Sequence, residues 1–80
     1  MYFIYAIKSQ KDGRIYVGLS SNIDQRISEH NSGYVFSTKG FRPWKLIYKE
    51  EVSNRKEARK REKYFKSGFG KELLKSILPL

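Results

Sequence analysis

The chain has 80 residues, of which 39% are hydrophobic and 15% aromatic, so we expect a single domain over residues 1–80 with one compact core. It contains no cysteine, which excludes disulfide bonds and thiolate metal sites and is typical of a reducing interior. The apolar segment 1–7 lacks a basic lead-in and a small-residue cleavage site. No apolar run approaches the roughly 18 residues of a membrane span. We therefore predict a cytoplasmic chain without a signal peptide or a membrane segment.

Positive charge is concentrated in the second half of the chain. Seventeen Lys and Arg residues oppose eight Asp and Glu residues, a net charge of +9. Residues 1–38 carry a net charge of +1, and residues 39–80 carry +8. Such a basic surface favours a polyanionic partner such as nucleic acid. Charge alone does not show whether such a partner is DNA or RNA. A basic surface can also serve only to keep the chain in solution.

The hydrophobic pattern predicts six elements in the order β-β-α-β-α-α. They are strands at residues 2–8 and 14–19, a helix from about 22 to 33, a strand at 44–52, and helices from about 54 to 68 and from about 71. An Asp-Gly turn at residues 12–13 joins the first two strands, Asn54 resembles an N-cap, and Gly68 resembles a C-cap. Pro79 would stop the last helix, which carries Leu78 on its apolar face. This order predicts an α+β fold, with a three-stranded, largely antiparallel β-sheet flanked by helices.

Two tyrosines of the predicted hairpin fall on one face of the sheet. If the turn near residues 12–13 has an even length, Tyr5, Tyr16 and Gly18 share that face, because side chains alternate along a strand. Gly18 would then leave room for a ligand beside the two phenols. Aromatic residues also simply fill strands, so the pattern alone fits either a site or a core.

Arg26 and His30 are four residues apart on the first predicted helix and are therefore neighbours on one of its faces. The guanidinium of Arg26 could clamp a phosphate with two parallel hydrogen bonds. His30 could donate to the same phosphate or move a proton near neutral pH. The alternative is an exposed arginine beside a hydrogen-bonded surface histidine.

Glu62 is the most unusual acidic residue. Ala58, Glu62 and Phe65 form the stripe that should face the core of an otherwise basic helix. A lone carboxylate is costly to bury unless a cation pairs with it. That cation could be a basic neighbour, such as Arg59 or Lys66, or a bound Mg²⁺ ion, which needs only one or two carboxylates and keeps several waters.

Other catalytic motifs are absent from the sequence. It has no Gly-rich phosphate loop, no His/Cys zinc spacing, no serine-triad signature and no pair of acids typical of glycoside hydrolysis. One histidine and no cysteine exclude most nucleophilic schemes.

Taken in order, these motifs resemble the GIY-YIG nuclease domain over almost the whole chain. Phe3-Ile4-Tyr5 and Tyr16-Val17-Gly18 stand where that family has Gly-Ile-Tyr and Tyr-Ile-Gly. Arg26 and His30 match the helix arginine and its neighbour, and Glu62 matches the single acidic metal ligand. The chain is most similar to the small stand-alone bacterial branch, which resembles excision-repair endonucleases. It departs from the family at Phe3, and nothing after Glu62 matches the asparagine of some longer members.

The resemblance implies a DNA endonuclease that hydrolyses phosphodiester bonds, with one Mg²⁺ or Mn²⁺ held by Glu62, and a role in DNA repair. It implies that Arg26 binds the phosphate and that Tyr5 or Tyr16 activates water. His30 is either a rival base or a phosphate contact. Because the usual pKa of tyrosine is about 10, we expect Arg26 and the metal to lower the pKa of the phenol that acts as base.

The resemblance leaves the substrate and the assembly open. We expect nicking of single-stranded or structured DNA by a monomer, since one site cuts one strand unless the protein dimerises. The residues expected to contact the substrate are Gly18, Thr38, Lys39, Arg42 and Lys45. The main alternative is a nucleic-acid-binding module without catalysis, which would use the same basic surface. A weaker one is a protein-interaction domain whose basic face binds an acidic partner.

Overall fold

The computed structural model describes residues 1–77, which form three strands and three helices. In chain order they are β1 (Tyr2–Ser9), β2 (Ile15–Ser20), α1 (Ile23–Ser32), β3 (Trp44–Val52), α2 (Arg55–Lys66) and α3 (Gly68–Ile77), with a 3-10 turn at Lys39–Phe41. The predicted order β-β-α-β-α-α and the α+β fold are confirmed. Within the described part of the chain, no helix combines the length and the apolar character needed to cross a bilayer.

The sheet is antiparallel, and β1 lies in its centre between β2 and β3. The backbone N–H of Ser9 donates to the carbonyl of Arg14 at 2.9 Å, which leaves a loop of residues 10–13 between the two strands. This loop has an even length, although its centre lies one residue before the predicted Asp-Gly position. Tyr5 therefore pairs with Gly18 and Ile7 with Tyr16, so both tyrosines lie on one face, as predicted.

The two faces of the sheet carry separate cores. On one face the buried residues pack against α2 and α3; they are Ile4, Ala6, Val17, Ala58, Phe65 and Leu74. On the other face they pack against α1; they are Tyr5, Ile7, Ile23 and Trp44. Because residues of both parities in β1 are buried, the prediction that this strand is covered on both faces is confirmed.

Local capping fixes the helix ends. The side chain of Asn22 accepts from the N–H of Gln25 at the start of α1, and Asn54 accepts from Glu57 at the start of α2. Gly33 ends α1 with a φ of 87°, a conformation that favours glycine.

The prediction that Gly68 caps the second helix is wrong. That helix ends at Lys66, and Gly68 is the first residue of α3, three residues before the predicted start. The reason is Ser67, whose hydroxyl accepts from the N–H of Gly70 and whose carbonyl accepts from Lys71, so that it caps α3. The predicted positions of Leu78 and Pro79 lie outside the described residues.

Candidate active site

A buried chain of hydrogen bonds links β1, α1 and the loop after α1. The Tyr5 hydroxyl lies 2.9 Å from Nε2 of His30, and Nδ1 of His30 lies 2.8 Å from the Thr38 hydroxyl. That hydroxyl also donates to the carbonyl of Val35, at 3.3 Å. Since a hydroxyl has one proton to give, Nδ1 of His30 is the donor to Thr38, and Nε2 is left to accept from Tyr5. The phenol proton of Tyr5 is therefore directed at a vacant imidazole lone pair.

Gly18 determines where the Tyr5 ring lies. A Cβ atom at Gly18 would be 2.6 Å from the Tyr5 hydroxyl oxygen, so the ring lies directly over the bare backbone of β2. The prediction that Gly18 leaves room for a ligand is wrong, because the ring of Tyr5 fills that room. A glycine here serves close packing of the phenol, which is one of the usual reasons for glycine inside a strand.

Tyr16 completes an aromatic cluster around His30. Its ring meets His30 edge-on with a centroid separation of 5.0 Å, and its centroid lies 6.4 Å from those of Tyr5 and Trp44. The strand register thus brings both phenols and the imidazole into one group. Of the two phenols, Tyr5 is the one that bonds to His30.

Arg26 lies one turn before His30 on α1. Its side chain is 34% exposed, and Nη1 lies 3.0 Å from a carboxylate oxygen of Glu29. The guanidinium is close enough to Tyr5 to oppose the rise in the pKa of that phenol. Glu29 was not among the residues predicted for the site, although its i,i+3 spacing from Arg26 was a usable signal.

Burial keeps both members of the Tyr5–His30 pair neutral. It raises the pKa of Tyr5 to about 12, and the nearby Arg26 only partly offsets this effect. Burial, together with the positive charge of Arg26, lowers the pKa of His30 below its ordinary value of 6.5. Arg26 does lower the pKa of Tyr5, as expected, but desolvation of the phenolate outweighs this effect in the protein alone.

Glu62 approaches this group from α2, on the other layer of the fold. Its carboxylate is 20% exposed and lies 3.4 Å from Nζ of Lys66. Its negative charge is one of the causes that raise the pKa of Tyr5, which places it within electrostatic reach of the phenol. Either a basic neighbour or a bound metal ion could neutralise the Glu62 carboxylate. In the structure the basic neighbour Lys66 does so.

The Glu62 carboxylate by itself has the chemistry to bind a hard divalent cation. Among residues 1–77, no three His, Cys, Asp or Glu side chains cluster in a way that could hold a metal ion. A partly exposed single carboxylate fits Mg²⁺, which keeps most of its waters and takes few protein ligands. Lys66 is 51% exposed, and such surface pairs contribute only about 1 kcal/mol or less, so a divalent cation could displace it.

The other expected substrate contacts separate into buried and exposed residues. The Thr38 hydroxyl is already shared between Nδ1 of His30 and the carbonyl of Val35, so it holds the imidazole in place. Lys39 and Arg42 are exposed and line an open cleft of about 480 Å³, whose other side chains include Lys11. Lys45 is exposed at the start of β3.

Asn31 and Trp44 tie α1 and the loop after it to the start of β3, roles that were not predicted from the sequence. The Asn31 side chain accepts from the backbone N–H of Trp44 at 2.6 Å and donates to its carbonyl at 3.1 Å. The indole N–H of Trp44 donates to the carbonyl of Thr38 at 2.9 Å. The asparagine directly after His30 was the only signal in the sequence.

Comparisons with known proteins identify the family of the chain. The family model of the GIY-YIG catalytic domain matches residues 1–75. A UPF0213 protein of Staphylococcus saprophyticus is 39% identical over 77 residues, which cover 95% of this chain and 93% of the relative. A UPF0213 protein of Clostridium perfringens is 40% identical over 67 residues, which cover 82% of this chain and 71% of the relative.

A solved structure shows the same fold. The solution NMR structure of a UPF0213 protein from Bacillus halodurans is 31% identical and has a TM-score of 0.58. The match covers 96% of this chain and 85% of that chain. The GIY-YIG domain suggests nuclease activity, whereas the names of these relatives carry no information on a substrate or a metal. The chain belongs to the GIY-YIG family, and its relatives include small bacterial UPF0213 proteins.

Proposed function

We propose that this protein is a metal-dependent DNA endonuclease that hydrolyses phosphodiester bonds and nicks single-stranded or structured DNA. The observation that carries the proposal is the hydrogen bond from the Tyr5 hydroxyl to Nε2 of His30, with the charges of Arg26 and Glu62 both acting on the same phenol. A structural tyrosine needs a hydrogen-bond partner, but it does not need two opposite charges around it. The predictions of a cytoplasmic location, a role in DNA repair, a monomer and a single domain over residues 1–80 stay predictions.

Arg26 is the group suited to bind the scissile phosphate. It is the partly exposed cation beside Tyr5, and its i,i+3 partner Glu29 holds one of its nitrogens. The remaining N–H groups of a guanidinium can donate to two phosphate oxygens at once. A positive charge fixed at this position also stabilises the extra negative charge of the transition state.

Tyr5 is the group suited to accept a proton from water. Its own proton points at Nε2 of His30, which is neutral near pH 7 because burial lowers the pKa of the imidazole. Transfer of that proton to His30 leaves a phenolate, and Thr38 keeps the imidazole oriented during the transfer. The raised pKa of Tyr5 makes this transfer unfavourable in the free protein. A divalent cation held at Glu62 would shift the balance toward phenolate by its positive charge.

Glu62 is the residue that would hold the divalent cation, with Lys66 released from its ion pair. When bound, Mg²⁺ or Mn²⁺ would stabilise negative charge on the phosphate and on the leaving oxygen. The basic residues outside the aromatic cluster would hold the DNA backbone; they include Lys39, Arg42 and Lys45. Such backbone contacts position a substrate without reading its sequence.

A specific observation favours a second candidate, a nucleic-acid-binding module without catalysis. The Glu62 carboxylate already has a cationic partner in Lys66, and the Tyr5 phenol is buried with a raised pKa. Both groups are satisfied within the protein, as they would be if they served structure alone. The two functions differ in whether Glu62 is needed for cleavage.

A cleavage assay on single-stranded, duplex, nicked and branched DNA separates them, with Mg²⁺, Mn²⁺ or a chelator present. We expect metal-dependent nicking by the wild type and loss of cleavage, with DNA binding retained, for Glu62→Gln. Glu57→Gln is the matched control, since Glu57 is on the same helix, is 50% exposed and pairs with Lys60 at 3.7 Å. Equal cleavage by both variants, or DNA binding by the wild type without any cleavage, would contradict the proposal.

A further inference from the structure

Two aromatic rings project into solvent from the segment that follows α1. We call residues 34–36 the aromatic loop. Tyr34 is 78% exposed and Phe36 is 81% exposed, while Val35 between them is partly buried. A single exposed ring needs no special explanation, whereas two exposed rings in one short segment suggest contact with a partner.

The backbone of this segment is held in place although its rings are not packed. The N–H of Tyr34 donates to the carbonyl of Glu29 at 3.1 Å, and the N–H groups of Thr38 and Lys39 donate to the carbonyl of Val35 at 3.2 and 3.0 Å. The rings are thus presented on an ordered scaffold. Binding through them would cost little loss of backbone freedom.

The aromatic loop is anchored directly to the candidate active site. Thr38, two residues after Phe36, bonds to His30, and His30 bonds to the Tyr5 hydroxyl. The aromatic loop is therefore joined to the candidate active site through only two further residues of the chain.

Positive charge borders the same rings. Nζ of Lys39 lies 5.0 Å from the centroid of Phe36. A Cβ atom at Gly33 would be 2.8 Å from Nη1 of Arg42, so the Arg42 guanidinium is held against the base of the loop. Exposed rings with neighbouring cations are the combination that binds single-stranded nucleic acid, in which bases stack and phosphates pair with the cations.

We propose that Tyr34 and Phe36 are a stacking platform for unpaired bases of single-stranded DNA, whose phosphates lie along Lys39 and Arg42. This inference rests on the proposed function for its choice of DNA and names the substrate class of that site. In a duplex both faces of a base are covered by its neighbours, so the platform would select unpaired nucleotides.

Binding measured without cleavage tests this inference. Fluorescence anisotropy with a chelator present would compare a labelled oligonucleotide of roughly 12 thymidines with an abasic oligonucleotide of the same length and with a duplex. We expect Tyr34→Ala and Phe36→Ala each to weaken binding to the thymidine strand about tenfold, the effect of one lost base stack. Binding to the abasic strand and to the duplex should stay unchanged, because those contacts are ionic.

Phe69→Ala is the matched control. Phe69 is 76% exposed but lies on α3, whose contacts are on the opposite layer of the sheet, so its loss should leave all three affinities unchanged. Tyr34→Phe should bind as the wild type does, since the ring remains.

Equal loss on the thymidine and abasic strands, or no loss in either alanine variant, would overturn the stacking platform. Because no step of this measurement requires cleavage, a protein that binds as expected but does not cut DNA would contradict only the proposed function. A protein that cuts DNA with unchanged binding in both alanine variants would contradict only this inference.

Discussion

The two faces of the β-sheet are built from the same strands but have opposite chemical character. The face under α2 and α3 buries only apolar residues, and we call it the dry face: aliphatic residues of β1 and β2 pack on Ala58, Phe65 and Leu74. The face under α1 is polar at its centre, where Tyr5, His30 and Thr38 are buried and joined by hydrogen bonds. Alternation along a strand is enough to separate them, since neighbouring residues point to opposite sides.

This difference indicates that the two faces of the sheet have different roles. Apolar contacts are tolerant of small rearrangements, whereas a buried hydrogen-bonded network is costly if any member loses its partner. No buried side-chain nitrogen or oxygen among the described residues lacks a partner. We therefore expect changes in the buried apolar residues of the dry face to affect mainly stability, and changes in the hydrogen-bonded residues of the polar face to affect mainly cleavage.

The largest effect on stability should come from the dry face. Phe65 is 2% exposed and packs against Tyr48 and Tyr64 with centroid separations of 5.2 Å. Phe65→Ala should lower the free energy of unfolding by about 3–5 kcal/mol, as lost burial and a cavity add. Urea denaturation followed by circular dichroism measures it, and Phe65→Leu gives a milder variant if the alanine form does not fold.

Phe69→Ala is the reference for that measurement, since a ring that is 76% exposed should contribute within about 0.5 kcal/mol. A loss in Phe65→Ala no greater than in Phe69→Ala would show that the dry face does not hold the fold together.

A smaller effect should follow from crowding the polar face. In Gly18→Ala the new Cβ atom would lie 2.6 Å from the Tyr5 oxygen, so the ring must move and its bond to His30 must lengthen or break. We expect a loss of about 1–3 kcal/mol in unfolding free energy and a loss of cleavage in the protein that remains folded. Gly40→Ala is the control, because a Cβ atom there meets nothing within 4 Å. Wild-type cleavage by folded Gly18→Ala would show that the position of Tyr5 is not critical.

The smallest expected effect is a pH dependence of stability, which arises from His30 on the polar face. Burial lowers the pKa of His30 in the folded protein below its ordinary value of 6.5, so the unfolded chain binds a proton first as the pH falls. The contribution of His30 to stability is therefore fully present above about pH 6.5 and is lost as the pH drops below it. Thermal unfolding from about pH 7.5 to 5 should show this decline, and His30→Gln should flatten it. If the stability of His30→Gln declined with pH as steeply as that of the wild type, the decline would have to come from other titrating groups.

The elements of the fold were predictable because their signals are local. Asn22, Gly33 and Asn54 act as caps within a few residues of their partners, and the Asp-Gly turn joins strands that are adjacent in sequence. Gly68 was misassigned because a glycine between two helices can end one or begin the next. The capping bonds of Ser67 decide between these, and they exist only in the folded chain.

The sequence predicted that Tyr5, Tyr16 and His30 lie together, but it did not predict the electrostatics around them. The expected direction of the Tyr5 pKa considered only charges, whereas the direction in the structure depends on how closely the ring is enclosed. The sequence placed Thr38 among the substrate contacts, but its bond to His30 depends on the path of the loop after α1. Both results come from tertiary packing, which spacing along the chain does not report.

The measurement that tests the central claim most directly is the single-turnover cleavage rate of two tyrosine variants. Tyr5→Phe removes only the hydroxyl that bonds to His30, and Tyr48→Phe removes one that bonds to Glu50 on the dry side of the sheet. We predict that Tyr5→Phe slows cleavage on the order of a thousandfold, with DNA affinity retained, and that Tyr48→Phe cuts as fast as the wild type. Equal cleavage rates for Tyr5→Phe and the wild type would contradict the assignment of Tyr5 as the base.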